Sequence, residues 1–171
     1  MAINQEPFIH NLVVCANMFV RKDDKYLLLK RSPLKKFAPN VTHPIGGKMD
    51  PDENPLIGAQ RELLEEAGLK VKNVKLEAVL LEIAPHKRQG MLNNWLIFHF
   101  SGDYDSGELI TTEEGEFVWL TEEEIISQQL FPSLKEVIAN ILNPHDATVF
   151  ATFEYNDNQQ IVAKKIDKCA L

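Results

Sequence analysis

The apolar positions of this chain fall in short blocks whose period shifts between two and about three and a half. "NLVVCANMFV" (11–20) and "KYLLLKRS" (25–32) are apolar runs of strand length joined by "RKDD", which predicts a hairpin. "PLKKFAPN" then reads as a loop, and "VTHPI" (41–45) as a short extended piece with Pro44 at its edge, because proline has no N–H for a ladder. The next segment has helical spacing. Asn54 is a good N-cap, Pro55 suits the first helical position and Gly68 suits a left-handed stop, so a helix is predicted over 55–67. Its inward stripe is Leu56, Ala59, Leu63 and Ala67, with Leu64 at the side.

Further strands are predicted at "VKLEAVLLEIA" (74–84), "NNWLIFHFSGDY" (93–104) and "GEFVWL" (115–120), the first two linked by "PHKRQGML". Thr121 and Glu124 form a capping-box pattern that opens a short helix. "PSLKEVIANIL" (132–142) is an amphipathic helix with Leu134, Val137, Ile138 and Ile141 inward. "ATVFATFEYNDNQQIVAKKI" (147–166) alternates and turns at "NDNQ", a terminal hairpin. Strands interrupted by two or three helices, with several antiparallel hairpins, indicate an α+β layer fold. The chain carries no internal repeat and no linker long enough to divide it, so its 171 residues are expected to form one domain, with a core over about 8–143 and the hairpin as an extension.

Composition adds limits. Apolar residues make up 44% and charged residues 25%, enough for a packed core and too apolar for wholesale disorder. No apolar run is long enough to span a bilayer, and the start lacks the basic and apolar regions of a secretory signal. Cys15 and Cys169 do not demand an oxidising compartment, so a cytoplasmic location is expected. The net charge of −7 disfavours binding to a nucleic acid polymer. That charge is uneven: Lys25, Lys30, Arg31, Lys35, Lys36 and Lys48 occur without an intervening acid, followed by an acidic helix and by "TEEGEFVWLTEEE" (112–124). A basic arm beside an acidic patch is able to hold an anion and a cation together, although each lysine alone also reads as solvated surface.

The acidic helix poses a physical problem. Glu62, Glu65 and Glu66 crowd one face near Gly58, and a like-charged pair at i,i+4 costs an isolated helix about 0.2–0.5 kcal/mol. A solvated surface face explains three glutamates taken alone. Their neighbours suggest more. Gly46 and Gly47 precede the helix and admit a ligand close to the backbone, and Arg61 is spaced to reach back to Glu53. Carboxylates on adjacent turns, with a carbonyl oxygen from a glycine loop, make a hard-oxygen site suited to Mg²⁺ or Mn²⁺.

The stretch resembles the Nudix box, Gly-x5-Glu-x7-Arg-Glu-U-x-Glu-Glu-x-Gly-U with U a bulky aliphatic. Here it is Gly47, Glu53, Arg61, Glu62, Leu63, Glu65, Glu66, Gly68 and Leu69, complete at every position. At ordinary residue frequencies such a match arises by chance on the order of once in a billion starting positions. The resemblance implies a Nudix-type α/β/α sandwich with a mixed central sheet. It also implies metal-dependent hydrolysis of a nucleoside diphosphate joined to another moiety. Carried over by position, Glu62, Glu65 and Glu66 would be metal ligands, Glu65 or Glu66 doubling as base, with the Gly47 carbonyl as a further ligand and Glu53 and Arg61 as a supporting pair. The family often takes one more carboxylate from another loop; Glu113, Glu114 and Glu116 are the candidates, with Glu114 preferred. Arg31 and Lys48 are candidate phosphate contacts. Phe37, His43, Trp95 and Phe131 are candidates for base stacking or hydrogen bonding, Trp95 and Phe131 being residues more often found in a core than against a ligand.

Sub-patterns within the family bear on the substrate. "GGKM", "NNWLIFHF" and "EGEFVWL" resemble MutT-type nucleoside triphosphate pyrophosphohydrolases, including those that remove oxidised guanine nucleotides such as 8-oxo-dGTP. Pro85, sixteen residues past the box, resembles a mark of ADP-ribose pyrophosphatases. "SQQLFPSL" matches only part of the NADH pyrophosphatase pattern and lies too late, and "LLLKRS" shares one fragment with coenzyme A pyrophosphatases. A nucleoside triphosphate is therefore the expected substrate, giving a nucleoside monophosphate and pyrophosphate, with an ADP-ribose-type sugar nucleotide as the alternative. A catalytically silent Nudix-fold binding module is the rival of another class; such relatives usually lose a box glutamate or the arginine, and none is lost here. Monomer and homodimer are both open.

Overall fold

The computed structural model describes residues 12–83, 94–143 and 147–170. Among them nine strands form one mixed sheet: β1 (Leu12–Lys22), β2 (Lys25–Arg31), β3 (Thr42–His43), β4 (Ile45–Lys48), β5 (Leu69–Ile83), β6 (Asn94–Gly107), β7 (Gly115–Leu120), β8 (Ala147–Tyr155) and β9 (Ile161–Ala170). Three helices complete it: α1 (Pro55–Ala67), α2 (Glu122–Ile126) and α3 (Pro132–Leu142). The main path is β3-β2-β1-β6-β5-β8-β9, with β4 joined to β1 and β7 to β2. β1–β6 and β5–β8 are parallel and the other pairs antiparallel.

β1 is an almost unbroken apolar run because both of its faces are covered. Ala16, Met18 and Val20 pack with Ala59, Leu63 and Ala67 of α1, while Phe19 on the opposite face packs with Leu134, Val137, Ile138 and Ile141 of α3 and Ile125 of α2. A helix layer on each side of a mixed sheet is the α/β/α sandwich. Leu63 is 1% exposed, so Leu63→Ala would cost about 2–5 kcal/mol through the cavity left under α1.

The cleft originates in the sheet. β1 pairs with β2 from Val20 to Lys22 but with β4 from Cys15 to Met18. The ladder therefore forks along β1. Cys15 and Asn17 share the face of Phe19, yet they lie beyond the cover of α3 and face a cavity instead of the core.

The structure corrects several boundaries. The strand predicted from residue 74 starts at Leu69, directly after the helix stop, and pairs there with Gly107. Its first turn of polar residues and the irregular register between Lys72 and Lys75 hide the alternation on which a sequence reading relies. For the same reason β6 continues to Gly107. The predicted strand ends at 84 and 93 and the 85–92 connection, with Pro85, lie outside the described residues. Leu56, expected inward, is 38% exposed; Gly58 is buried in the first turns instead, against Met49 and Glu53. The terminal hairpin runs to Ala170, and β8 adds parallel to β5 from Ala78 to Ile83.

Candidate active site

β4 and α1 build the centre of the site. Asn54 Oδ1 accepts from the N–H groups of Leu56 and Ile57 at 3.1 and 3.2 Å, which fixes the start of α1. Gly68, at φ 73, ends it in the left-handed region, with its N–H on the Leu64 carbonyl. Between these caps α1 presents its carboxylates toward β4. A Cβ on Gly47 would lie 2.7 Å from the Glu62 carboxyl carbon, so only glycine permits this approach.

Arg61 organises the acidic group. Its Nε and Nη2 donate to the two oxygens of Glu53 at 2.6 and 3.0 Å, a bidentate pair. Nη1 donates to Glu62 and to Glu65, each at 2.9 Å, and Nη2 also reaches the Lys48 carbonyl at 3.2 Å. The bonds to Glu53 and Glu65 hold the guanidinium firmly protonated, and the Arg61 bond holds the Glu53 carboxyl below its ordinary range. One cation thus offsets the like-charge cost along α1.

Glu66 is different. Burial, and then the charge of Glu62, raises its pKa from 4.5 to about 7, despite a hydrogen bond from the Gly46 backbone. Its Oε2 is buried and has no partner among the described residues. Glu65, by contrast, is the most exposed of the three, with 59% of its side chain accessible. Among the described residues no three acidic, histidine or cysteine side chains already converge as a metal cage, since Glu62 and Glu65 are turned to Arg61. The donor chemistry nevertheless suits a hard divalent cation: an unsatisfied carboxylate oxygen on Glu66, the neighbouring Glu62, and backbone exposed at Gly47. Glu114 contributes to the field at Glu66 from the β7 side, while Lys35 holds it in an ion pair of 2.6 Å that lowers its own pKa.

A cavity of about 520 Å³ opens beside this centre. Arg31, Phe37, His43, Lys48, Trp95 and Phe131, which enter from five separate stretches of sequence, all line it. Phe37 and Phe131 lie near-parallel with ring centroids 6.1 Å apart, and His43 is tilted against Phe131 at 5.9 Å. Lys48 Nζ sits 5.9 Å from the Trp95 ring centroid. His43 Nδ1 donates to the Pro44 carbonyl at 2.7 Å, so its Nε2 is an acceptor, buried and without a partner among the described residues. Burial lowers the His43 pKa to about 4, so the ring is neutral beside the cationic Arg31, whose buried Nε also lacks a partner among these residues.

Several lining groups were missed by the sequence reading. Asn17 and His99 form part of the floor, with Asn17 Nδ2 and His99 Nδ1 3.5 Å apart. Each is a polar residue inside an apolar strand run, a signal that was present. Glu82, Ser133, Tyr155, Asn156 and Gln159 also line the cavity. No spacing rule relates these residues to the box.

Comparison with known proteins agrees with this geometry. The NUDIX domain matches residues 11–141. The chain belongs to the Nudix hydrolase family. Over 101 residues it is 34% identical to the NAD-capped RNA hydrolase NudC of Chromobacterium violaceum, an alignment covering 59% of this chain and 34% of that protein. The chain thus spans about a third of the length of that curated relative. Among solved structures, the MutT protein of Bacillus halodurans superposes with a TM-score of 0.78 at 24% identity, over 91% of this chain and 97% of the other. The MutT protein of Methanosarcina mazei Go1 gives 0.63 at 20% identity, over 79% and 96%. At such identities the likeness speaks to the fold.

Proposed function

We propose that this chain hydrolyses a phosphoanhydride bond in a nucleoside diphosphate derivative with the help of Mg²⁺ or Mn²⁺, and that its substrate is a nucleoside triphosphate, released as monophosphate and pyrophosphate. The observation that carries the reading is the buried Glu66 Oε2, without a partner among the described residues, near Glu62 at a glycine gap and next to a cavity lined by aromatic rings and cations.

Glu62, Glu66 and the Gly47 carbonyl would hold the metal, with Glu65 and Glu114 as further candidate ligands. The bound cation supplies charge neutralisation of the diphosphate and a more acidic water. The chain's own groups do the rest. Lys48 and Arg31 attract the anionic phosphates, Arg61 keeps Glu62 and Glu53 in register, and Phe37 and Phe131 offer a stacking surface for a base. Glu66 or Glu65 would take the proton from the attacking water.

A dinucleotide or sugar-nucleotide diphosphate, as in the ADP-ribose-type alternative, is the second reading. It is favoured by the likeness to a protein named for NAD-capped RNA and by the extension of the cavity to the terminal hairpin. In either reading the hairpin belongs to the same domain as the box, since β8 completes the central sheet. Among the described residues no helix is long and apolar enough to cross a membrane; a cytoplasmic location, where free nucleotides are abundant, is part of the proposal.

The experiment is phosphate or pyrophosphate release with Mg²⁺ across dNTPs, 8-oxo-dGTP, ADP-ribose, NADH, dinucleoside polyphosphates and coenzyme A. Preferential turnover of triphosphates supports the first reading and of ADP-ribose or NADH the second. No release from any member, with no calorimetric metal binding, would leave a silent binding module.

A further inference from the structure

The family match ends at residue 141, yet the hairpin beyond it supplies Tyr155, Asn156, Asp157 and Gln159 to the cavity wall. A side-chain latch holds that wall. Glu82 of β5 accepts one hydrogen bond from Ser133 Oγ in the first turn of α3, and another from Tyr155 Oη at the end of β8, the latter at 3.2 Å. Both land on Oε1. Oε2 has no hydrogen-bond partner among the described residues, and Glu82 itself lines the cavity.

The ladder locates this oxygen. Lys48 pairs with Cys15, Cys15 with Ile97, and Ile97 with Leu80, two residues before Glu82. Glu82 therefore stands three strand spacings across and two residues along from the β4 phosphate contact, roughly 16 Å between backbone positions. A group bound there is the one attached to the phosphates, not the phosphates themselves. An ionised carboxylate only accepts, so it favours an N–H and repels a lone pair. Its two donors leave Oε1 saturated and the carboxyl plane fixed, which aims Oε2 before any substrate arrives.

We propose that Glu82 is a specificity-determining residue that accepts, through Oε2, an N–H of the group joined to the phosphates, with the terminal hairpin as the wall behind it. The shared chemistry is a planar ring bearing an amino or amide N–H, either a nucleobase or a nicotinamide-type carboxamide. The inference rests on the phosphoanhydride reading above.

The test uses the full chain with Mg²⁺ and pairs of substrates that differ at one donor: GTP against ITP, ATP against purine riboside triphosphate, and NAD against nicotinic acid adenine dinucleotide. In the responding pair the donor-bearing member is favoured in kcat/KM by roughly ten- to hundredfold, and which pair responds tells nucleobase from nicotinamide. Glu82→Gln can keep the Ser133 and Tyr155 bonds on its amide oxygen while its NH₂ replaces Oε2, so the preference should fall about tenfold or more. Tyr155→Phe frees half of the latch and should raise KM for the donor-bearing member more than it lowers kcat. Should Glu82→Gln fail to fold, an unchanged preference in Tyr155→Phe overturns the proposal. It is also overturned by a wild type indifferent in all pairs, or by a preference that Glu82→Gln leaves intact. If nothing turns over, the same pairs are compared by calorimetric Kd. A binding preference abolished by Glu82→Gln upholds the Glu82 site although the hydrolytic reading has failed, and no binding at all sinks both.

Discussion

Glu66→Gln should make the metal-free protein more stable and almost inactive. In the folded protein this carboxyl titrates at about 7 against an ordinary 4.5. Between those values the folded state binds the proton more tightly than the unfolded chain. The stabilising contribution is therefore complete below pH 4.5 and is lost as the pH rises through about 7. A shift of that size corresponds to roughly 3 kcal/mol for the ionised form, and the side chain's partial exposure to the cavity screens this to about 1–2 kcal/mol. Glutamine is neutral throughout and avoids the penalty. Without metal at pH 8, Glu66→Gln should thus gain about 1–2 kcal/mol, roughly 2–8 °C in Tm for a chain of this size, and the gain should vanish as the pH falls to 4.5. Excess Mg²⁺ should reverse the order, because it stabilises only the form that binds it. Calorimetric melting across pH, with and without Mg²⁺, reads all three effects, and turnover should fall on the order of a thousandfold. A pH-independent difference in Tm, or full Mg²⁺-dependent turnover, would refute the assignment of Glu66.

Other variants probe other parts of the site. Arg61→Lys loses the planar fork that serves Glu53, Glu62 and Glu65 together, and kcat should drop on the order of a hundredfold with the fold intact by circular dichroism; unchanged kcat would remove Arg61 from a positioning role. Gly47→Ala places a methyl against the Glu62 carboxyl and should weaken Mg²⁺ or Mn²⁺ binding by roughly 10–100-fold in calorimetry, an unaltered Kd arguing against Glu62 as a ligand. Phe37→Ala removes half of the Phe37–Phe131 pair from a largely exposed position, so KM for the preferred nucleotide should rise about tenfold with little loss of stability; an equal loss of Tm and no change in KM would mark Phe37 as structural.

Much of this molecule follows from local rules. The bounds of α1 are written in Asn54, Pro55 and Gly68, and those of α3 in Pro132 and an apolar stripe, because caps and periodicity act within a turn or two. The box residues are legible for the same reason: one helix and the strand before it carry nearly all of them. Leu56 misled because helical periodicity gives a face but not the point where that face leaves its neighbour. The start of β5 was hidden because polar residues and a bulge broke the alternation at Lys72–Lys75.

What the tertiary structure alone decided is which sheet face becomes floor and which becomes core. The fork of β1 between β2 and β4, and the short reach of α3, put Cys15 and Asn17 on a cavity wall while Phe19 packs in the core. Pairing of β8 with β5 brings Tyr155 to Glu82 across 73 residues of sequence. The box marks Glu66 in sequence, but its burial and the nearby charge of Glu62, which raise its pKa, come only with the tertiary structure. Burial and long-range pairing are properties of chain closure, and no local pattern encodes them.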